Sequence, residues 1–191
     1  MIRRKPKAQA RPARGKYGAI LCDPPWAFRS YARPDAIATR KAEQPYKAMS
    51  LVDLMLLPVF EWAARDCALF LWIPDANLKQ GMNLAEHWGF EYKTVAFIWD
   101  KGDRIGMGFW SRKQAEQVYM FTRGKPKRLS AAVPQMIRSS RREHSRKPDE
   151  IYKRVEALVP GPYLEMFARQ KWPRWDCMGD ETSKFSKGKS K

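Results

Sequence analysis

Asp23, Pro24, Pro25 and Trp26 are the residues whose types and spacing most clearly suggest chemistry. A carboxylate accepting one N–H bond and a carbonyl accepting the other would draw an exocyclic aromatic amine, such as that of adenine, toward tetrahedral geometry. Its lone pair, otherwise delocalised into the ring, could then attack an electrophilic methyl group. Acceptors would face the positive charge developing on nitrogen. Asp23 supplies the carboxylate. Pro24 has a fixed φ and no N–H, so its carbonyl is expected to be held without a competing donor, and Pro25 confines Pro24 to extended geometry. Trp26 offers a flat face on which an extruded base stacks. The plainer alternative is a Pro-Pro turn capping a strand, with Trp26 in the core.

Elements must place these groups. Residues 17–22 form a short apolar run that predicts a buried strand, putting Asp23 at its carboxyl end, where open α/β sheets bind ligands. Residues 27–48 are irregular, with aromatics and arginines interleaved, and are expected to form a flap over a nucleotide. Ser50 and Asp53 have the spacing of a capping box, so a helix is predicted from Leu51 toward Arg65, interrupted at Pro58. Strands are predicted over residues 67–73, 92–99, 116–122 and 162–169, and a helix over 77–88 closed by Gly89. The strands at 92–99 and 116–122, joined by a glycine-rich basic loop, are expected to pair antiparallel at one end of the sheet, with that loop touching substrate. Pro148, Asp149 and Glu150 suit the first turn of a helix running through Leu158, with Lys147 at its start as a carboxylate or phosphate site. Asp180 and Glu181 follow the next strand, where ribose hydroxyls are often received.

Composition narrows the classes. The chain has 191 residues, 44% hydrophobic and 13% aromatic, which suits one folded domain with a sizeable core. The expected division is a basic disordered tail at 1–15, a body at 16–181 and a second basic tail at 182–191. Net charge is +17, with seven Lys/Arg and no acid in residues 1–16 and four lysines and no acid in residues 184–191. With the basic stretch at 138–147, this points to a nucleic-acid partner. No apolar run is long enough to span a membrane, and no secretory signal is visible. Cys22, Cys67 and Cys177 are too scattered for a disulfide framework or a zinc site, and His87 and His144 are the two imidazoles, so no metal is expected. A reducing, cytoplasmic-type location is the expectation.

Several motifs now agree. They are Asp23 to Trp26; Tyr46 to Ser50; the Gly106-Met107-Gly108 loop leading to Arg112 and Glu116; His144-Ser145-Arg146-Lys147-Pro148-Asp149-Glu150; and Leu164-Glu165-Met166-Phe167-Ala168-Arg169. Over roughly residues 15–181 the chain resembles the Asp-Pro-Pro-Trp N6-adenine methyltransferases. That family includes the seventy-kilodalton catalytic subunit of the eukaryotic mRNA adenosine methyltransferase and many small bacterial and phage relatives, the phage-type enzymes looking closest. The resemblance implies an α/β fold: a Rossmann-like methyltransferase sheet in permuted order, mostly parallel with an antiparallel edge pair, the catalytic strand first and the cofactor strand near the end. It implies S-adenosylmethionine as cofactor. Lys147 would meet the methionine carboxylate, Asp23 would lie near the methyl donor and the target amine, and Phe167, Arg169, Asp180 and Glu181 would line the rest of the cofactor site. Where the mRNA enzyme has a His-Asn pair this chain has Lys171-Trp172, and where it has Asn-Gln this chain has Asp180-Glu181. The glycine-rich loop that follows the cofactor strand in many methyltransferases is replaced by Ala168-Arg169-Gln170-Lys171.

The expectation is an S-adenosylmethionine-dependent adenine N6-methyltransferase acting on nucleic acid, with DNA favoured. Asp23 and the Pro24 carbonyl would hold the amine and Trp26 the base, with Arg29, Tyr31, Arg112, Arg141 and Arg142 as candidates for substrate contacts. The catalytic fold takes up nearly the whole sequence, so a short or relaxed sequence preference is expected. The alternatives are the same reaction on RNA, and a non-catalytic nucleic-acid-binding protein on a methyltransferase fold. A protein partner or a homodimer is open.

Overall fold

The structure, a computed structural model, describes residues 12–27, 48–102, 106, 110–143 and 146–185. The basic residues 1–11 and 186–191, and the expected flap with Arg29 and Tyr31, lie outside these.

Seven strands form one sheet in the order β5-β3-β4-β2-β1-β6-β7. The strands are β1 (Tyr17–Cys22), β2 (Ala63–Trp72), β3 (Glu91–Asp100), β4 (Ala115–Arg123), β5 (Met136–Arg138), β6 (Tyr163–Met166) and β7 (Trp175–Met178). β4 runs antiparallel to both its neighbours, β2 and β3, and every other pairing is parallel. The mostly parallel sheet and the β3–β4 pair match expectation. The pair is not the edge, however, because β5 adds a strand outside it.

The helices are α1 (Leu51–Met55), α2 (Val59–Trp62), α3 (Leu78–His87) and α4 (Glu150–Leu158). The two-residue period of the strands sorts the core into two layers. Ile20 and Cys22 of β1 join Cys67, Leu69 and Leu71 of β2 on one face, under Leu54, Trp62 and Leu84 of α1–α3. Ala19 and Leu21 join Ala68, Phe70 and Trp72 on the other, under Ile151, Tyr152 and Val155 of α4. Leu54, Leu69, Leu71 and Phe70 have no exposed surface; each such side chain contributes about 1.5–3 kcal/mol by leaving water.

Local chemistry accounts for most boundaries. Ser50 Oγ accepts the Asp53 N–H at 3.1 Å while the Asp53 carboxylate accepts the Ser50 N–H at 3.3 Å, so the capping box opens α1. Pro58 separates α1 from α2. The helix expected to reach Arg65 stops at Trp62 instead, and residues 63–66 open β2. Tyr17 pairs with Ala63, and Asp66 accepts the Lys125 N–H at 2.7 Å just beyond the end of β4, so sheet contacts outweigh local helical preference there. The expected strand at 162–169 is shorter, because Phe167 takes φ +59, a left-handed conformation that ends extended pairing.

Gly15 N–H donates to Glu61 O at 2.7 Å ahead of β1, and Phe185 N–H donates to Arg169 O at 3.1 Å after β7.

Candidate active site

The parallel strands bring the carboxyl ends of β1, β2, β3 and β6 to one edge. Asp23 follows β1 there. Because β4 is reversed, its first residues arrive at the same edge, which delivers Glu116 from a strand whose end lies on the opposite side.

Four charges of alternating sign connect these elements. Lys147 Nζ lies 3.3 Å from Asp23 Oδ2 and 2.8 Å from Glu116 Oε2, and Lys101, just past β3, bonds the other Glu116 oxygen. Trp72 lies beneath Lys147 at 4.7 Å and Trp99 beneath Lys101 at 5.0 Å, which adds cation–π attraction. Burial raises the Asp23 carboxyl above its ordinary range; Lys147 pulls back against this, Glu116 adds to it, and Arg169 opposes it. Burial alone would raise Glu116 too, but Lys147 and Lys101 hold it down at about 2. Burial also works against the Lys147 ammonium, yet Asp23 and Glu116 make it hold its proton more tightly than an ordinary lysine. Lys101 is lowered, its burial outweighing the help from Glu116. Asp23 is thus an ionisable acceptor at the mouth of a cleft, with a fixed cation beside it.

The proline segment differs from expectation in one respect. The Pro24 carbonyl already accepts the Trp26 N–H at 2.8 Å, and the Pro25 carbonyl accepts the Met49 N–H at 2.9 Å. The missing N–H of a proline does not prevent the next residue from donating. One lone pair of the Pro24 oxygen is committed; a carbonyl has a second.

Trp26 is 4% exposed and its Nε1–H donates to the Trp72 carbonyl at 3.0 Å, so the indole packs in the core under the site. It braces the turn after β1 against the end of β2. Arg142 has partners within the chain. Its guanidinium grips Asp149 with two bonds of 2.8 Å and donates to the Lys147 carbonyl at 2.7 Å. Those bonds fix the turn that presents Lys147, ahead of α4, and leave Arg142 a positioning role. Arg112 and Arg141 are exposed, and Arg141 NH2 lies against Gly106 in the loop between β3 and β4.

Beside Asp23 a cleft is lined by Lys147, Tyr152, Glu165, Phe167, Arg169 and Phe185, among others. Arg169 Nε lies 3.6 Å from Glu181 Oε2, which brings those two expected residues together; Asp180 is exposed beside them. Gly179 backs this corner: a Cβ there would stand 2.6 Å from the Ala168 carbonyl oxygen, so the strand after the cleft loop can approach only without a side chain. Trp172, at a divergent position, stacks on Tyr152 at 4.5 Å and serves packing.

Several residues of the site were not singled out from the sequence. Glu116 and Lys101 complete the charge chain. Glu165 accepts the Tyr152 hydroxyl at 2.9 Å, and burial with little compensation raises its carboxyl to about 8. A carboxylate in the middle of an apolar strand was a legible sign. Phe185 carried no sign, standing in a lysine-rich stretch without periodicity. Arg146 lines the same cleft, packs on Phe185 at 5.2 Å and keeps a buried Nε–H without a hydrogen-bond partner among the described residues. The lining therefore offers a cation for a carboxylate, acceptors for hydroxyls, an unused donor and two phenyl rings. That is the complement of an amino-acid-bearing nucleoside, and it fits S-adenosylmethionine. Among the described residues no group of His, Cys, Asp and Glu could hold a metal ion, and no helix is long and apolar enough to cross a membrane.

Comparison with known proteins agrees with this geometry. A type II methyltransferase, M.MunI of Mycoplasma sp, is 32% identical over 184 residues, covering 88% of this chain and 78% of that protein. The N(6)-adenosine-methyltransferase catalytic subunit METTL3 of Homo sapiens is 27% identical over 180 residues, 87% of this chain and 28% of that protein. An MT-A70-like protein of Drosophila melanogaster is 28% identical over 178 residues, again 87% of this chain and 27% of that protein. The chain thus spans about a quarter of the length of these eukaryotic relatives. The MT-A70 family model matches residues 17–181, the stretch that holds all seven strands and all four members of the charge chain, and the chain belongs to the MT-A70 family.

Proposed function

We propose that this protein is an S-adenosylmethionine-dependent N6-adenine methyltransferase of nucleic acid, acting on DNA. The observation that carries the reading is Asp23, 3.3 Å from Lys147 at the carboxyl end of β1 and lining a cleft whose other residues suit the cofactor.

S-adenosylmethionine, when bound, supplies an electrophilic sulfonium methyl group. Lys147 would hold its carboxylate, Arg169 and Glu181 its ribose, and Phe167 its base. The remaining work falls to Asp23, which accepts an N–H of the adenine amine and takes up positive charge as nitrogen becomes four-coordinate. The free lone pair of the Pro24 carbonyl can accept the other N–H. Both acceptors are fixed before reaction, so little reorganisation opposes the step. The elevated proton affinity of Asp23 suits it to receive the proton that the methylated amine must shed. Lys147 favours the charged carboxylate, against the repulsion from Glu116, and the Glu116–Lys147 pair aims it without becoming part of the transfer.

DNA is favoured because the type II methyltransferase is matched over most of its length, whereas the N(6)-adenosine-methyltransferases are matched over about a quarter of theirs. The same geometry serves RNA adenosine. The test is methyl transfer from labelled S-adenosylmethionine to single-stranded DNA, duplex DNA and RNA of one sequence, followed by digestion to nucleosides. N6-methyldeoxyadenosine is expected from the wild type. Asp23→Ala should lose at least about 100-fold in rate, the scale for removing one preorganised electrostatic contact, with an unchanged circular dichroism spectrum. Label in RNA alone moves the substrate assignment, and full activity of the variant removes Asp23 from the mechanism.

A further inference from the structure

The burial of Trp26 leaves a flipped nucleotide's neighbourhood without its expected aromatic face. At the catalytic edge Trp26, Trp72 and Trp99 are each 5% exposed or less, while Trp110 is fully exposed. Trp110 stands in the loop between β3 and β4. That loop is anchored at both ends to the site: Lys101 and Glu116 belong to the charge chain that ends on Asp23, and Lys113 pairs with Asp75, just past β2, at 3.2 Å. The Gly106–Lys113 bridge closes the loop on itself, with Arg141 lying against Gly106 and exposed Arg112 two residues from Trp110. A wholly solvated indole is unfavourable to keep for packing, since it buries nothing. An exposed indole in a loop that also carries an exposed arginine, and whose ends reach the charge chain on Asp23, has the makeup of a single-strand stacking platform.

We propose that Trp110 stacks a base that flanks the target adenine, with Arg112 and Arg141 on the adjoining phosphates. The flanking base is the occupant, since the target must reach Asp23, and Glu116 and Lys147 stand between the base of this loop and that carboxylate. Stacking on an indole is tolerant of base identity, so Trp110 supplies affinity and register and little sequence preference. The proposal rests on the substrate being a nucleic acid.

The test uses single-stranded oligodeoxynucleotides with one adenine, and the same strands with an abasic unit at each flanking position in turn. Affinity is read by fluorescence anisotropy and KM by methyl transfer, for wild type, Trp110→Ala and Trp110→Phe. Trp110→Ala should weaken binding about tenfold and raise KM in step, Trp110→Phe should recover most of the loss, and one abasic position should weaken the wild type about tenfold but the alanine variant no further. Equal binding by wild type and Trp110→Ala, or the same abasic penalty in both, overturns the stacking while leaving the methyltransferase reading intact. A wild type that binds no polynucleotide overturns the nucleic-acid reading and the stacking with it.

Discussion

At the scale of single residues the site is a matter of where two carboxyls sit. Glu116 and Glu165 are both sheltered, yet their proton affinities move in opposite directions, because Glu116 has two ammonium partners and Glu165 has a phenol. Their effects on stability therefore have opposite signs. Glu116, held at about 2, favours the folded state above the ordinary carboxyl range, and that contribution is lost as pH falls from about 4.5 toward 2. Glu165, raised to about 8, takes up a proton on folding, so the folded state loses stability as pH rises from about 4.5 to 8. Urea titrations across this range should show Glu116→Gln destabilised at pH 7 and nearly equal to wild type near pH 2. Glu165→Gln should flatten the decline between pH 5 and 8. A Glu165→Gln curve parallel to wild type would show that Glu165 stays ionised in the fold.

At the scale of elements the wall of the cleft beside Asp23 depends on one strained residue. Phe167 holds a left-handed backbone directly after β6, where a glycine would meet no penalty, and its ring lines the cleft. Strain kept at such a position is consistent with a demand for the side chain. Phe167→Ala and Phe167→Gly should both weaken S-adenosylmethionine binding in calorimetry, since both lack the ring. The glycine variant should be more stable than the alanine variant by about 1 kcal/mol, because it relieves the backbone. The sequence foretold β1, β3, β4 and α4 and the edge that carries Asp23, since apolar period and caps mark them locally. It did not foretell β5, where Met136-Ile137-Arg138 is too short for any alternation to be read. Nor could it decide on Trp26, because an indole after two prolines suits a platform and a core equally. The deciding partner, the Trp72 carbonyl, is supplied by a distant strand. The pairing of Arg142 was illegible for a related reason: a basic run shows charge, but not which cation a later Asp149 will claim.

At the scale of the molecule, the formal charge of +17 sets the character of association. Affinity for a polyanion should fall steeply with salt, by at least about tenfold between 50 and 200 mM, with a linear log–log slope that counts the phosphates neutralised. A slope near zero would assign binding to contacts other than phosphate. The order of the sheet has a different consequence. β1 lies between β2, which follows it early, and β6, which is made long after both. A ribosome-bound polypeptide that has not reached Lys147 carries Asp23 without the cation that keeps it charged. One that has not reached β6 lacks the wall formed by Glu165, Phe167 and Arg169. The site is therefore assembled only once β6 has been made, and a nonsense or frameshift product cut short before it lacks the complete site.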